Sequence, residues 1–138
     1  MNDNRPVPST DDGADRTLRC QSWDGYSWDR LEDFGDYGMH YVRILRLIDG
    51  RLLMTFTQRS LFYPIGLHAV LSLDDGETWN LKQDHIIIDG LTPWGAPSGG
   101  GFGNTIQLPN EDLVSCYSYG AGDKTMIEAV RWRLPPIS

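Results

Sequence analysis

An all-β fold built from a repeated four-stranded antiparallel unit is what this sequence predicts, and three observations predict it. Short β-branched and apolar runs alternate with acidic or glycine-containing turns between residues 41 and 134, the pattern of strands joined by hairpins. No stretch of useful length carries helical periodicity. The chain also repeats itself. Asp24 and Asp74 stand 50 residues apart in matching contexts, and Leu47-Ile48-Asp49-Gly50-Arg51-Leu52 is echoed by Leu108-Pro109-Asn110-Glu111-Asp112-Leu113. A period of about 50 residues holding four short strands is the sequence form of a β-propeller blade. The 138 residues hold two to three such blades, fewer than the roughly 4–8 that close a ring. The expectation is therefore a partial propeller, completed either by further blades N-terminal to this segment or by self-association.

Residues 1–16 are rich in Asp, Asn, Pro and Ser with little to bury, which predicts a flexible leader ahead of a domain over 17–138. Ser22-Trp23-Asp24-Gly25-Tyr26-Ser27-Trp28 reads as a turn. Residues 41–48 and 51–57 are strands around Asp49-Gly50, a dipeptide that signals a type I′ hairpin. Residues 67–73 form the next strand, followed by a tight turn and a strand at 85–88 that closes at Asp89-Gly90. A Gly/Pro-rich loop over 91–101 follows. The last strands are 104–108, 113–119 and 126–134, the first two joined by the turn at 109–112.

The tight turn, Ser72-Leu73-Asp74-Asp75-Gly76-Glu77-Thr78-Trp79, reads Ser-x-Asp-x-Gly-x-Thr-Trp. Asp74 is placed to accept turn N–H groups, Gly76 to adopt positive φ, and Trp79 to begin the return strand with a large apolar body. The turn at 22–28 matches if one residue is missing before the glycine and Ser27 replaces Thr. The pattern resembles the Asp-box, or bacterial neuraminidase repeat, of sialidases and related propellers. From residue 39 to residue 134 the order of strands and turns is similar to the C-terminal half of that six-bladed family. The resemblance implies a glycoside hydrolase of the exo-α-sialidase type acting on terminal acidic sugars. It also implies that Ser72, Asp74, Gly76, Thr78 and Trp79 are structural and lie away from the active site.

Sialidases clamp the carboxylate of their sugar with Arg forks, whose planar geometry matches its two oxygens. Arg59, fifteen residues before Asp74, resembles one clamp residue; a solvated Arg at a strand end fits the position equally. The family nucleophile is a Tyr activated by a Glu, a phenol being less repelled than a carboxylate by the substrate's own carboxylate. Phe102 stands where the family pattern places that Tyr. Arg59, His68 and Tyr117 are the candidate catalytic residues, with Glu128 the nearest candidate partner for a Tyr. Trp94, Phe102 and Tyr119 are candidates for lining a sugar site. Each also has a plain structural reading: His68, Tyr117 and Tyr119 as packed strand residues, Trp94 and Phe102 as loop anchors. A non-catalytic carbohydrate-binding or structural propeller module is the alternative function, favoured by Phe102 and the small number of blades.

The net charge of −7 argues against nucleic acid or an anionic membrane as partner and leaves a glycan as the expected one. Ten of the twelve basic residues are Arg, a side chain suited to bidentate contacts with carboxylates. Cys20 and Cys116 lack metal-ligand spacing and read as buried free thiols. No signal-peptide pattern or membrane-length apolar run is present in these residues. Gly99-Gly100-Gly101 is not a phosphate loop, because a strand follows it and no Lys-Ser/Thr accompanies it. No cofactor or metal is expected.

Overall fold

The computed structural model describes residues 16–29, 31–58, 66–81, 86–90, 103–121 and 123–134. These residues form nine strands in three antiparallel sheets and contain no helix. β1 (Arg16–Arg19) pairs with β2 (Glu32–Tyr37). β3 (Met39–Arg46), β4 (Leu52–Gln58), β5 (Gly66–Ser72) and β6 (Ile86–Gly90) form a four-stranded sheet in that order. β7 (Gly103–Gln107), β8 (Leu113–Ala121) and β9 (Lys124–Trp132) form the third. Every strand pairs with its neighbour in sequence, so each sheet is a simple meander. The leader expected over 1–16 and the loop expected over 91–101 lie outside the described residues, except for Arg16, which opens β1.

The four-stranded sheet is covered on both faces, which is why β4 is buried along almost its whole length. Alternate residues of a strand point to opposite sides. One side carries Met39, Met54, Phe56 and Val70, with Leu81, and meets Phe34 of the first sheet and Trp79. The other carries Leu47, Leu53 and Ala69 and meets Leu113, Trp132 and Leu134 of the third sheet. Burying a side chain such as Leu53 or Phe56 contributes roughly 1.5–3 kcal/mol, so the three sheets are held mainly through the central one. Polar straps add direction. The backbone N–H of Ile48 donates to Oε1 of Gln107 at 2.7 Å, and Arg19 donates to the carbonyl oxygens of Gly76 and Glu77, both at 3.3 Å.

The repeat between residues 47–52 and 108–113 is a structural one. Leu47 N–H donates to Arg51 O and Gly50 N–H to Leu47 O; Leu108 N–H donates to Asp112 O and Glu111 N–H to Leu108 O. The residues equivalent by position, Gly50 (φ 92°) and Glu111 (φ 69°), share the left-handed conformation. This corrects the type I′ expectation for Asp49-Gly50. A type I′ turn centred on Asp49-Gly50 needs positive φ at both residues, and only Gly50 has it; the closing bond runs instead from the Gly50 N–H to the Leu47 carbonyl. The turn is the longer kind that ends in a left-handed bulge residue. In the second turn Asp112 is held by Nε of Arg131 at 2.6 Å and Nε of Arg133 at 2.7 Å, which ties this hairpin to the end of β9.

β1 and β2 carry no local strand signal, because Glu32-Asp33-Phe34-Gly35-Asp36-Tyr37 has a poor strand composition. Their pairing draws on contacts that composition does not reveal: the Arg16–Asp33 and Arg19–Glu32 ion pairs and the seating of Phe34 on the central sheet. The free thiols Cys20 and Cys116 are exposed, not buried. Cys116 alternates with buried Ser115 and Tyr117 along β8 and so belongs to the opposite face.

Candidate functional site

The register gives the sheets two chemically different ends. At one end lie the hairpin turns after β3 and β7 and the Asp74 turn after β5, since Leu52 pairs with Ser72 at the start of β4 and Arg46 reaches Asp75 at 2.6 Å. At the other end lie the start of β3, the end of β4, the start of β5 and the corresponding termini of the third sheet.

The Asp74 turn is locked by its fixed residues. Ser72 Oγ donates to Asp74 Oδ1 at 2.7 Å and accepts the Gly76 N–H at 2.9 Å. Thr78 donates both its N–H (2.9 Å) and its hydroxyl (2.5 Å) to the Asp74 carboxylate. Trp79 Nε1 closes back on the Gly76 carbonyl at 3.0 Å. Gly76 takes φ 91°, and a Cβ there would meet the Leu52 side chain at 3.3 Å. The turn at 22–28 repeats the scheme with one residue fewer. Ser22 Oγ donates to Asp24 Oδ1 at 3.1 Å and accepts the Gly25 N–H at 2.8 Å, while Tyr26 and Ser27 donate their N–H groups to Asp24.

These bonds favour the charged carboxylate. The hydroxyl and N–H of Thr78, with the hydroxyl of Ser72, lower the Asp74 pKa to about 2. The N–H groups of Ser27 and Tyr26 lower that of Asp24 to about 2. Arg133 and then Arg131 lower that of Asp112, and Arg51 that of Asp49. A carboxylate whose pKa is depressed on folding stabilises the fold fully above its unfolded value of about 4, and that contribution is lost as pH falls through the folded value. Thermal midpoints are thus expected to hold between pH 5 and 7 and to fall steeply from about pH 4 toward 2. Asp74→Asn should flatten that fall; an unchanged acid profile in this variant would remove the turn carboxylate from the account.

The far end holds the described candidates for chemistry. His68 is fully buried on β5, opposite Phe56, with ring centroids 6.1 Å apart. Thr57 and Gln58 are buried beside it, so polar side chains collect inside this end of the sheet. Tyr117 is buried on β8, and its hydroxyl donates to Glu128 Oε2 at 2.8 Å across the β8–β9 register. The structure thus brings together the Tyr and Glu that spacing alone could not join, while His68 sits in a different sheet. Tyr119 is placed on β8 opposite Met126. Arg59, Trp94 and Phe102 lie outside the described residues.

Sequence reading missed Tyr41. It adopts φ 57° at a bulge in β3, where the register slips between His40 and Arg43. Bulky residues seldom hold that conformation, and such strain concentrates at functional sites. Nothing in the local sequence signals it, because turn-type glycine or asparagine is absent there.

No family model, curated protein or solved structure matches this chain. Among the described residues no group of three or more His, Cys, Asp or Glu side chains converges as a metal site would.

Proposed function

We propose that this chain supplies blades to a sialidase-like propeller, and that the far end of its sheets forms part of a site for terminal acidic sugars in a glycoside hydrolase of the exo-α-sialidase type. The observation that carries this reading is the doubled Ser–Asp–Gly lock, 50 residues apart, joining consecutive strands of antiparallel meanders. Two further features support it. The Tyr117–Glu128 pair has the composition of an activated phenol nucleophile, with the carboxylate positioned to take the phenolic proton. Arg59 is the next residue in sequence after β4, and an Arg fork has the planar geometry that a sugar carboxylate requires.

A second reading, a non-catalytic carbohydrate-binding module, is favoured by the burial of His68 and Tyr117, which leaves neither ring open to solvent, and by Phe102 in the position expected for the nucleophile. Hydrolysis of a fluorogenic α-sialoside, followed beside calorimetric titration with free sialic acid, separates the two. Turnover that Tyr117→Phe and Glu128→Gln abolish supports the hydrolase, and turnover that survives both removes this pair from catalysis. Sialic acid binding without turnover, lost in Arg59→Ala, supports the module. Absence of both turnover and binding overturns the proposal.

A further inference from the structure

The internal repeat extends beyond the turns into the strands that they join. Leu52 pairs with Ser72 as β4 leaves the turn at 47–51, and Leu113 pairs with Trp132 as β8 leaves the equivalent turn at 108–112. With those pairs aligned, β4 falls on β8 and β5 on β9. Leu67-His68-Ala69-Val70 then coincides with Ile127-Glu128-Ala129-Val130, and the cross-strand pair Phe56–His68 with Tyr117–Glu128. The central sheet continues with β6, which sets Ile87 opposite His68 and Ile86 opposite Ala69. Among the described residues no strand lies in the equivalent place beside β9.

Burial reflects this difference. His68 is fully buried and Glu128 is exposed, although each stands on the side of its sheet that meets the preceding sheet. The outer edge of β9 also lacks the devices that protect the other edges. Exposed edges are blunted by short length, bulges or proline. β3 slips in register between His40 and Arg43, the β1–β2 pairing slips between Arg16 and Leu18, the β5–β6 pairing slips between Leu67 and His68, and β7 has five residues. β9 has nine residues, no proline and an unbroken register with β8. Its outer edge therefore presents a regular row of backbone donors and acceptors.

A second copy of the chain fits this edge poorly. Full antiparallel overlap of two β9 strands sets Glu128 against Glu128, and like charges directly opposite are destabilising. Each copy also carries a net charge of −7, which opposes self-association and attracts a basic partner. The strand on β5 shows the pattern of a better occupant: β6 carries three consecutive isoleucines and runs antiparallel to its neighbour. Glu128 alters one position of that pattern. Where β6 sets Ile87 opposite His68, a cation opposite Glu128 makes a favourable cross-strand pair.

We propose that the outer edge of β9 binds, by strand addition, an extended β-branched segment of another protein that runs antiparallel to it and sets a Lys or Arg opposite Glu128. Main-chain bonds of the added strand supply affinity, and the pair with Glu128 fixes its register. This edge is defined by the strand repeat alone and does not depend on the glycan reading.

The probe is a labelled peptide of the sequence Asp-His-Ile-Ile-Ile-Asp-Gly, residues 84–90, made also with Ile87→Lys and Ile87→Glu, and titrated against the full chain by fluorescence polarisation. The Ile87→Lys peptide is expected to bind saturably, and about fivefold or more tighter than the Ile87→Glu peptide. Glu128→Gln keeps an acceptor for the Tyr117 hydroxyl, so its thermal midpoint should stay near that of the parent, while the ratio between the two peptides falls below about twofold. Hydrogen exchange with the Ile87→Lys peptide bound should slow in β9. Absence of saturable binding, a peptide preference that survives Glu128→Gln, slowed exchange in β5 in place of β9, or protection of β9 by self-association without peptide would overturn the assignment.

Discussion

Trp79→Ala is expected to destabilise the protein by about 3 kcal/mol, whereas Trp28→Ala, at the same place in the repeated turn, should cost less than about 1 kcal/mol. The two residues occupy equivalent positions but different environments. Trp79 is half-buried against Met39, Met54, Phe56, Val70 and Leu81, meets Phe34 edge-on with ring centroids 6.4 Å apart, and donates to the Gly76 carbonyl. Its removal takes away apolar contact, leaves a cavity between two sheets and frees one end of the turn lock. Trp28 is 63% exposed. Denaturant midpoints of the two variants measure the contrast. Equal losses would mean that the first turn is covered in solution much as the second is, and equally small losses that Phe34 does not seat on Trp79.

Ser72→Ala is expected to cost about 2 kcal/mol, and Ser22→Ala less than half of that. Ser72 is buried, and its hydroxyl both accepts the Gly76 N–H and steadies the Asp74 carboxylate. Without it a buried N–H loses its partner, and water cannot readily replace the hydroxyl. Ser22 makes the same two bonds at an exposed turn, where water can substitute. Chemical denaturation of the pair reads the difference directly. A Ser72→Ala loss no greater than that of Ser22→Ala would show that the bond scheme, and not its burial, sets the energy.

Much of the central and third sheets was legible because their signals are local. The alternating apolar residues of β4 and β5, the Asp-Gly turn and the Ser-x-Asp-x-Gly-x-Thr-Trp pattern each declare themselves within a few residues. β1 and β2 were not legible, because Asp33, Glu32 and Phe34 acquire strand character only from partners far away in sequence: Arg16, Arg19 and the face of the central sheet. Burial of the thiols was misjudged for a related reason. Cys116 is one of a run, Leu113 to Tyr117, that reads as uniformly apolar or small, and only the pairing with β7 and β9 fixes which side it takes. At the candidate site, the Tyr117–Glu128 contact is a register fact that spacing cannot supply, and the left-handed Tyr41 has no sequence signature at all.

The Arg19 strap has a consequence for the order in which the molecule assembles. A two-stranded ribbon such as β1–β2 is marginal in water when isolated, and its ion pairs with Asp33 and Glu32 are largely solvent-exposed. Its guanidinium bonds end on carbonyls of a turn that exists only once β5 has led into the Asp74 lock. The central meander pairs only strands adjacent in sequence and buries both of its faces, so its contacts are local enough for it to form first. The N-terminal ribbon then condenses on a template already made. In this chain the later-encoded segment nucleates and the earlier-encoded one waits, so during synthesis the β1–β2 ribbon would stay without stable structure until the central meander, through the Asp74 turn, had emerged to hold it.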